Sequence, residues 1–520
     1  MYNRGMNFKR NLVSIITLIG SVFMISGCKD PNVFEQFTFL DPQSDLHQPV
    51  DTHEDEDHGA YIKYGNYASY PAKGSGGKIY ELGSSYDVLY NYSGQHIIKS
   101  TGDRKILVVP VEFEDFTTEQ LGVSKTEYVN NLRKAFFGYA ANNKYASVSE
   151  YYNRSSYGKL RISGRVCDDF FTFPTTADDI KKHDLTSNVV HECYNKVITW
   201  YNKTYPFGNI KDYRIDPEDP NSDIAIYLVY TYPTELKDNT KVFWNYTFLD
   251  RAFSWSSYSC LNTLGGQPDA HTLIHETGHL LGLTDYYPSN DSDADPTGRI
   301  DMMDCSVGDH SGFSKMMLDW VRPYHVIDSC EIKLSSLLFN GDLILINNDW
   351  NRTVFDEYYL LEFYTPMGLN NYDSSVGNNK AKLPYLPGIK IYHVDARLGY
   401  FEYDTKIRDS KIFKSYCDDQ DEINPSTTSK NINLAHDNTT YSSATKEQTN
   451  LLYNLYELKL NNASGIANGC ATDQNLFHKS DTYFINNESF NKEHNSSNFK
   501  IDILDVTYRD ATIKIEKVVA

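Results

Sequence analysis

The stretch Asp269 to Tyr287, "DAHTLIHETGHLLGLTDYY", sets two histidines and a glutamate among Leu273, Ile274, Leu280 and Leu281. Polar side chains in an apolar run are costly unless they have partners, so their spacing matters. On a helix, residues four apart share a face. His275 and His279 can therefore direct their imidazoles at one point, while Glu276 projects about 100° around. Two neutral imidazoles suit a zinc ion and leave it electrophilic, and the adjacent carboxylate is placed to take a proton from water on the metal. Gly282 stands where the helix must stop, because glycine readily adopts the left-handed conformation that ends one. The chain then turns back, which brings Asp285 within reach as a third ligand. That set leaves a fourth position for water or substrate, the arrangement of a catalytic zinc. Asp301 and Asp304, further along, compete with Asp285 for the third place.

Working outward, "RKILVVPVEFED" (104–115) and "SDIAIYLVYTYP" (222–233) read as buried strands, with Pro233 ending the second. A helix is expected over about 124–138. A further helical turn, a break at Gly158 and an alternating strand follow within 147–166. Strands interspersed with helices predict an α/β layer ahead of the histidine helix. From about residue 330 the pattern changes to short alternating stretches separated by Asn, Asp, Gly and Pro, the pattern of a β-sandwich. A polar interval near 418–450 reads as a surface insertion in it. The expected fold class is α+β.

Four blocks together resemble the immune inhibitor A-like secreted metallopeptidases. "HETGHLLGLTDYY" is similar to that family's HExxHxxGxxD helix, and "KILVVPVEFEDF" with "SVSEYYNRSSYGKLRISG" to its opening strand and helix-to-strand unit. "DMMDCSVGDHSGFSKMMLDWVRPY" resembles its methionine turn and exit, and "EYYLLEFYTP…LPGIKIYHVD" the strands just beyond. The resemblance spans roughly 104–397. It implies a zincin-type catalytic domain, a twisted sheet plus an active-site helix, with zinc on His275, His279 and Asp285, Glu276 as general base, and Met302 or Met303 as the apolar floor beneath the metal. Cys305 departs from the pattern, as a buried filler or as an inhibitory ligand. Tyr287, following the third ligand, is a candidate oxyanion stabiliser. The loop "NDSDADPTG" alternates Asp291, Asp293 and Asp295 as carboxylates alternate in calcium loops. Pro296 stands where an EF-hand needs glycine, so any Ca²⁺ site there is of another kind.

The N-terminus carries Arg4, Lys9 and Arg10, an apolar stretch from Leu12 to Ile25, and then Ile25-Ser26-Gly27-Cys28. The closing tetrapeptide resembles a bacterial lipobox, which implies cleavage before Cys28 and its lipidation. The acidic stretch "DLHQPVDTHEDEDHGA" (45–60) reads as a flexible tether. Four segments are thus expected: signal peptide 1–27, tether 28–79, metallopeptidase 80–328 and β-sandwich 329–520. A net charge of −20 argues against nucleic-acid partners, which need a basic face. Eight cysteines at wide spacings, with no CxxC, indicate neither a zinc knuckle nor a dense disulfide scaffold.

The sequence therefore predicts a monomeric zinc endopeptidase, lipid-anchored on the extracellular face of a bacterial membrane and acting on protein or peptide substrates. The alternative is a surface adhesion lipoprotein that keeps the fold. The intact Glu276 argues against it, since a binding module needs no base.

Overall fold

The computed structural model describes residues 54–518 apart from internal stretches, chief among them 177–186, 235–244, 288–295, 404–410, 417–431, 434–454, 462–469 and 491–497. The signal peptide, Cys28, the aspartates Asp291, Asp293 and Asp295, and most of the expected insertion at 418–450 lie outside the described residues. What is described falls in one compact unit, residues 42–520, and is a mixed α and β structure of several sheets.

A six-stranded sheet places Leu160–Val166, Gly102–Phe113, Ile226–Tyr230, Phe253–Ser257 and Tyr246–Phe248 side by side, with Phe171–Phe173 also on Gly102–Phe113. All pairings are parallel except that of the last strand, Tyr246–Phe248. The long apolar runs arise because both faces of this sheet are covered. Ile106 and Val108 point into a large core with the helices Lys125–Phe137, Val148–Ser155 and His271–Leu280. Leu107, Val109 and Val111 point into a second core with the helix Ser187–Thr204. Pro110 sits mid-strand without disrupting it. Leu107 N donates towards Ala225, and donors alternate along a strand, so the proline nitrogen faces the other side. There the neighbour changes from Leu160–Val166, paired as far as Val108, to Phe171–Phe173, paired from Val111.

The second large sheet has seven strands and takes in the start of the described chain. Glu56–Asp57 and Tyr61–Lys63 join Tyr324–Val326, Leu343–Ile346, Glu357–Tyr364, Gly388–Asp395 and Leu455–Lys459. The stretch expected as a tether up to residue 79 therefore contains two strands of this sheet, and Pro71–Lys73 pairs with Ile79–Glu81 besides, a correction to that expectation. Backbone pairing of Tyr61–Lys63 with Tyr324–Val326 holds it, and Asp57 serves as a turn acceptor, its Oδ1 bonded to Gly59 N at 2.8 Å. Main-chain pairing and turn chemistry leave little trace in hydropathy, which is why the acidic composition misled.

The boundary expected at 328/329 also changes. Leu343, Leu345, Tyr358, Leu360, Tyr392 and Val394 pack into the same large core as the His271 helix. The alternate residues Ile344, Ile346, Tyr359, Leu361, Ile389 and Ile391 enter a third core shared with the four-stranded sheet built from Cys330–Ser335, Thr482–Ile485, Asn498–Val506 and Asp510–Val518. The centre of the seven-stranded sheet is thus buried on both faces: every residue of Leu343–Ile346, of Glu357–Tyr364 and of Gly388–Asp395 is buried. Residues on both sides of 328 share one continuous core.

Candidate metal centre

The helix His271–Leu280 enters the large core through Leu273, Ile274 and Leu280. It ends as the sequence predicts. Gly282 has φ +93°, and Leu283 N reaches back to the Gly278 carbonyl at 3.1 Å, closing the last turn. Glycine suits that conformation, and a Cβ there, 2.7 Å from Ile97 Cδ1, would also oblige the Ile97 side chain to shift.

This reversal brings Asp285 beside the two histidines. One ligand-type atom from each of His275, His279 and Asp285 lies within 4.8 Å of the others. Asp285 Oδ1 is 3.0 Å from His275 Nε2 and 3.3 Å from His279 Nε2. Bonds of about 2.1 Å at tetrahedral angles separate ligand atoms by roughly 3.4 Å, so the set fits a small cation such as zinc. The opposite ring nitrogens are occupied: His275 Nδ1 donates to the Met302 carbonyl at 2.7 Å and His279 Nδ1 to the Leu283 carbonyl at 2.8 Å. A carbonyl only accepts, so each Nδ1 carries the proton and each Nε2 is left as the donor atom for a metal.

Without a cation His279 attracts a proton instead. Burial would lower His279, but its bond to Asp285 and that carboxylate's charge overcome burial and raise it to about 9. Burial would raise Asp285, and the two imidazoles reverse this and hold it well below the usual carboxylate range. Glu276 moves the other way: burial raises it, against the pull of His279 and His275. Its carboxylate is not among the converging atoms. Its Oε2 instead lies 2.8 Å from the hydroxyl of Thr247, on the strand Tyr246–Phe248 that ends the six-stranded sheet path.

The neighbouring candidates separate cleanly. Asp301 caps the short helix Met302–Cys305 through Met303 N at 2.8 Å, and Asp304 accepts from Thr297 and from Arg299 N at 3.1 Å, so neither joins the cluster. The two methionines divide the work. Met302 supplies the carbonyl for His275, and Met303 packs under the helix, where a Cβ on Gly278 would meet its Sδ at 2.5 Å. Cys305 stands apart from the cluster, its Sγ accepting from Arg299 Nε at 3.1 Å. Burial and then the charge of Asp304 push its thiol up to about 12, far from thiolate character. Tyr287 is partly exposed beside Asp285. Burial, followed by the charge and hydrogen bond of Asp285, raises its phenol above the ordinary value.

Two contributors went unread in the sequence. His271 begins the same helix one turn before His275. It is buried between Asp269 Oδ1 at 2.6 Å and Asp373 Oδ2 at 3.1 Å, and stacks on Tyr145 at 4.0 Å. Burial would lower it, but the two carboxylates outweigh that and raise it to about 9. Its place four residues ahead of His275, on the same face, was the available signal. Thr247 had none, a lone threonine far away in sequence.

No protein-family model matches the chain, and no curated protein matches it.

Proposed function

We propose that this protein is a zinc-dependent endopeptidase that hydrolyses peptide bonds in proteins. The observation that carries the reading is the convergence of His275 Nε2, His279 Nε2 and Asp285 Oδ1, with both Nδ1 atoms tied to backbone carbonyls and Glu276 adjacent but outside the set. A binding module has no use for a buried base beside such a cluster. When bound, zinc polarises the scissile carbonyl and makes the attacking water acidic enough to lose a proton near neutral pH. His275, His279 and Asp285 would hold it. Glu276 accepts the proton from the water and delivers it to the leaving amine, and burial suits it to both tasks by raising its proton affinity. Tyr287, whose phenol lies beside Asp285, would donate to the developing oxyanion on turning from that carboxylate.

On this reading, the six-stranded sheet with the His271 helix forms a zincin-type catalytic part, and the seven- and four-stranded sheets a β-sandwich fused to it. The lipobox-like Ile25-Ser26-Gly27-Cys28 makes the chain a lipoprotein held at the outer face of a bacterial membrane. No described helix is long and apolar enough to cross one. The experiment is hydrolysis of an unfolded protein such as casein, with and without a chelator. Cleavage that the chelator abolishes and added zinc restores supports the reading; a folded, zinc-loaded protein that cleaves nothing favours a binding lipoprotein.

A further inference from the structure

We propose that Thr247 is a positioning residue for the general base, its hydroxyl fixing the Glu276 carboxylate so that only Oε1 exchanges protons with the reacting groups. The inference rests on the peptidase reading above. The Thr247 side chain is buried, and its hydroxyl has three oxygen neighbours: Ser254 Oγ at 2.8 Å, the Glu276 carbonyl at 3.0 Å and Glu276 Oε2 at 2.8 Å. A hydroxyl has one proton to give. Donation to the charged carboxylate is the strongest of the three bonds, so Ser254 donates to Thr247 and Thr247 to Oε2. Among the described residues this is the hydrogen bond that the structure gives the Glu276 carboxylate.

The arrangement also serves the other half of the cycle. Once Glu276 has taken a proton on Oε1, Oε2 is the acid's carbonyl-type oxygen and still accepts from the Thr247 hydroxyl, if less strongly. The carboxylate thus keeps its place in both states. A glutamate has three side-chain torsions to fix, and a buried one left unanchored samples orientations that do not face the water. Thr247 lies 29 residues away in sequence, on a strand that pairs antiparallel with Phe253–Ser257, so the base is anchored to the sheet as well as to its own helix.

The test compares Thr247→Val and Thr247→Ser with the wild type. Valine keeps the branched shape suited to a strand and removes the hydroxyl, while serine restores it. Thr247→Val should lower kcat by about 10-fold or more, part of the 10² to 10⁴-fold that a positioned base supplies, with KM within about twofold and zinc content unchanged. Thr247→Ser should recover most of the loss. A second measurement needs neither metal nor substrate. In metal-free protein, Thr247→Val should lower the urea midpoint more when Glu276 is present than in a Glu276→Ala background, where only the bonds to Ser254 and to the backbone carbonyl remain to be lost. Equal kcat in wild type and Thr247→Val, or equal midpoint shifts in both backgrounds, would overturn the inference while leaving the peptidase reading intact. A wild type that binds zinc and hydrolyses nothing overturns the peptidase reading and the catalytic role of Thr247 together, and the midpoint comparison then reports the bond alone.

Discussion

His275 gives its Nδ1 proton to the carbonyl oxygen of Met302, 2.7 Å away and 27 residues on in sequence. The bond fixes the imidazole's tautomer and its rotation, so that Nε2 meets Asp285. It also ties the His271 helix to the turn that follows it. The same turn sends Met303 beneath Gly278, and the Met303 carbonyl accepts from Tyr286 N at 2.8 Å, which holds the segment bearing Asp285 and Tyr287. The two histidines, the aspartate and the methionine pair are thus one mechanical unit.

If Asp285 is the third ligand, Asp285→Ala should lower zinc affinity more than the 10 to 100-fold typical of an outer partner, and zinc occupancy at least tenfold. Asp304→Ala should keep its zinc, because Asp304 is committed to Thr297 and Arg299. Metal content after dialysis against a weak chelator is the measurement. Full zinc in the Asp285 variant would move the third ligand elsewhere.

His271 makes stability depend on alkaline pH. Its pKa rises from 6.5 to about 9 in the fold, so its contribution is complete below about pH 6.5 and is lost as pH climbs through about 9. A shift of that size corresponds to about 3 kcal/mol, comparable to what breaking one partner of a buried ion pair removes. Urea unfolding of zinc-loaded protein between pH 6 and 10 should show this loss in the wild type, and Asp373→Asn, which leaves Asp269 as the remaining partner, should reduce it. Identical pH dependence in both proteins would show that the pair with Asp373 does not hold the proton.

The membrane anchor rests on Ile25-Ser26-Gly27-Cys28. If Cys28 is lipidated as proposed, Cys28→Ala should leave the precursor unprocessed or release it from membranes, because that lipid would supply the attachment. Fractionation and labelling with a fatty-acid analogue check this. Unchanged processing and membrane association would exclude lipid attachment at Cys28.

The parts legible in the sequence were those carried by period or spacing. His275, Glu276, His279, Gly282 and Asp285 follow from helix geometry and one glycine, and the buried runs at 104–115 and 222–233 from their length. Parts carried by the main chain were not legible. The strand Tyr61–Lys63 is held by backbone pairing inside an acidic stretch, and Glu357–Tyr364 is buried on both faces despite its two glutamates, Glu362 being neutralised by Lys390 at 3.0 Å. Thr247 was hidden because its partner is 29 residues away, and His271 because its carboxylate partner Asp373 lies 102 residues on.

The most direct test separates chemistry from metal binding at Glu276, which neighbours the three converging side chains without being one of them. Glu276→Gln keeps the shape of the side chain and its bond to Thr247, so the variant should fold and hold zinc as the wild type does. Casein cleavage and bound zinc are measured on the same preparations of both proteins. The account predicts equal zinc, with cleavage reduced by about 10² to 10⁴-fold; equal cleavage at equal zinc would contradict it.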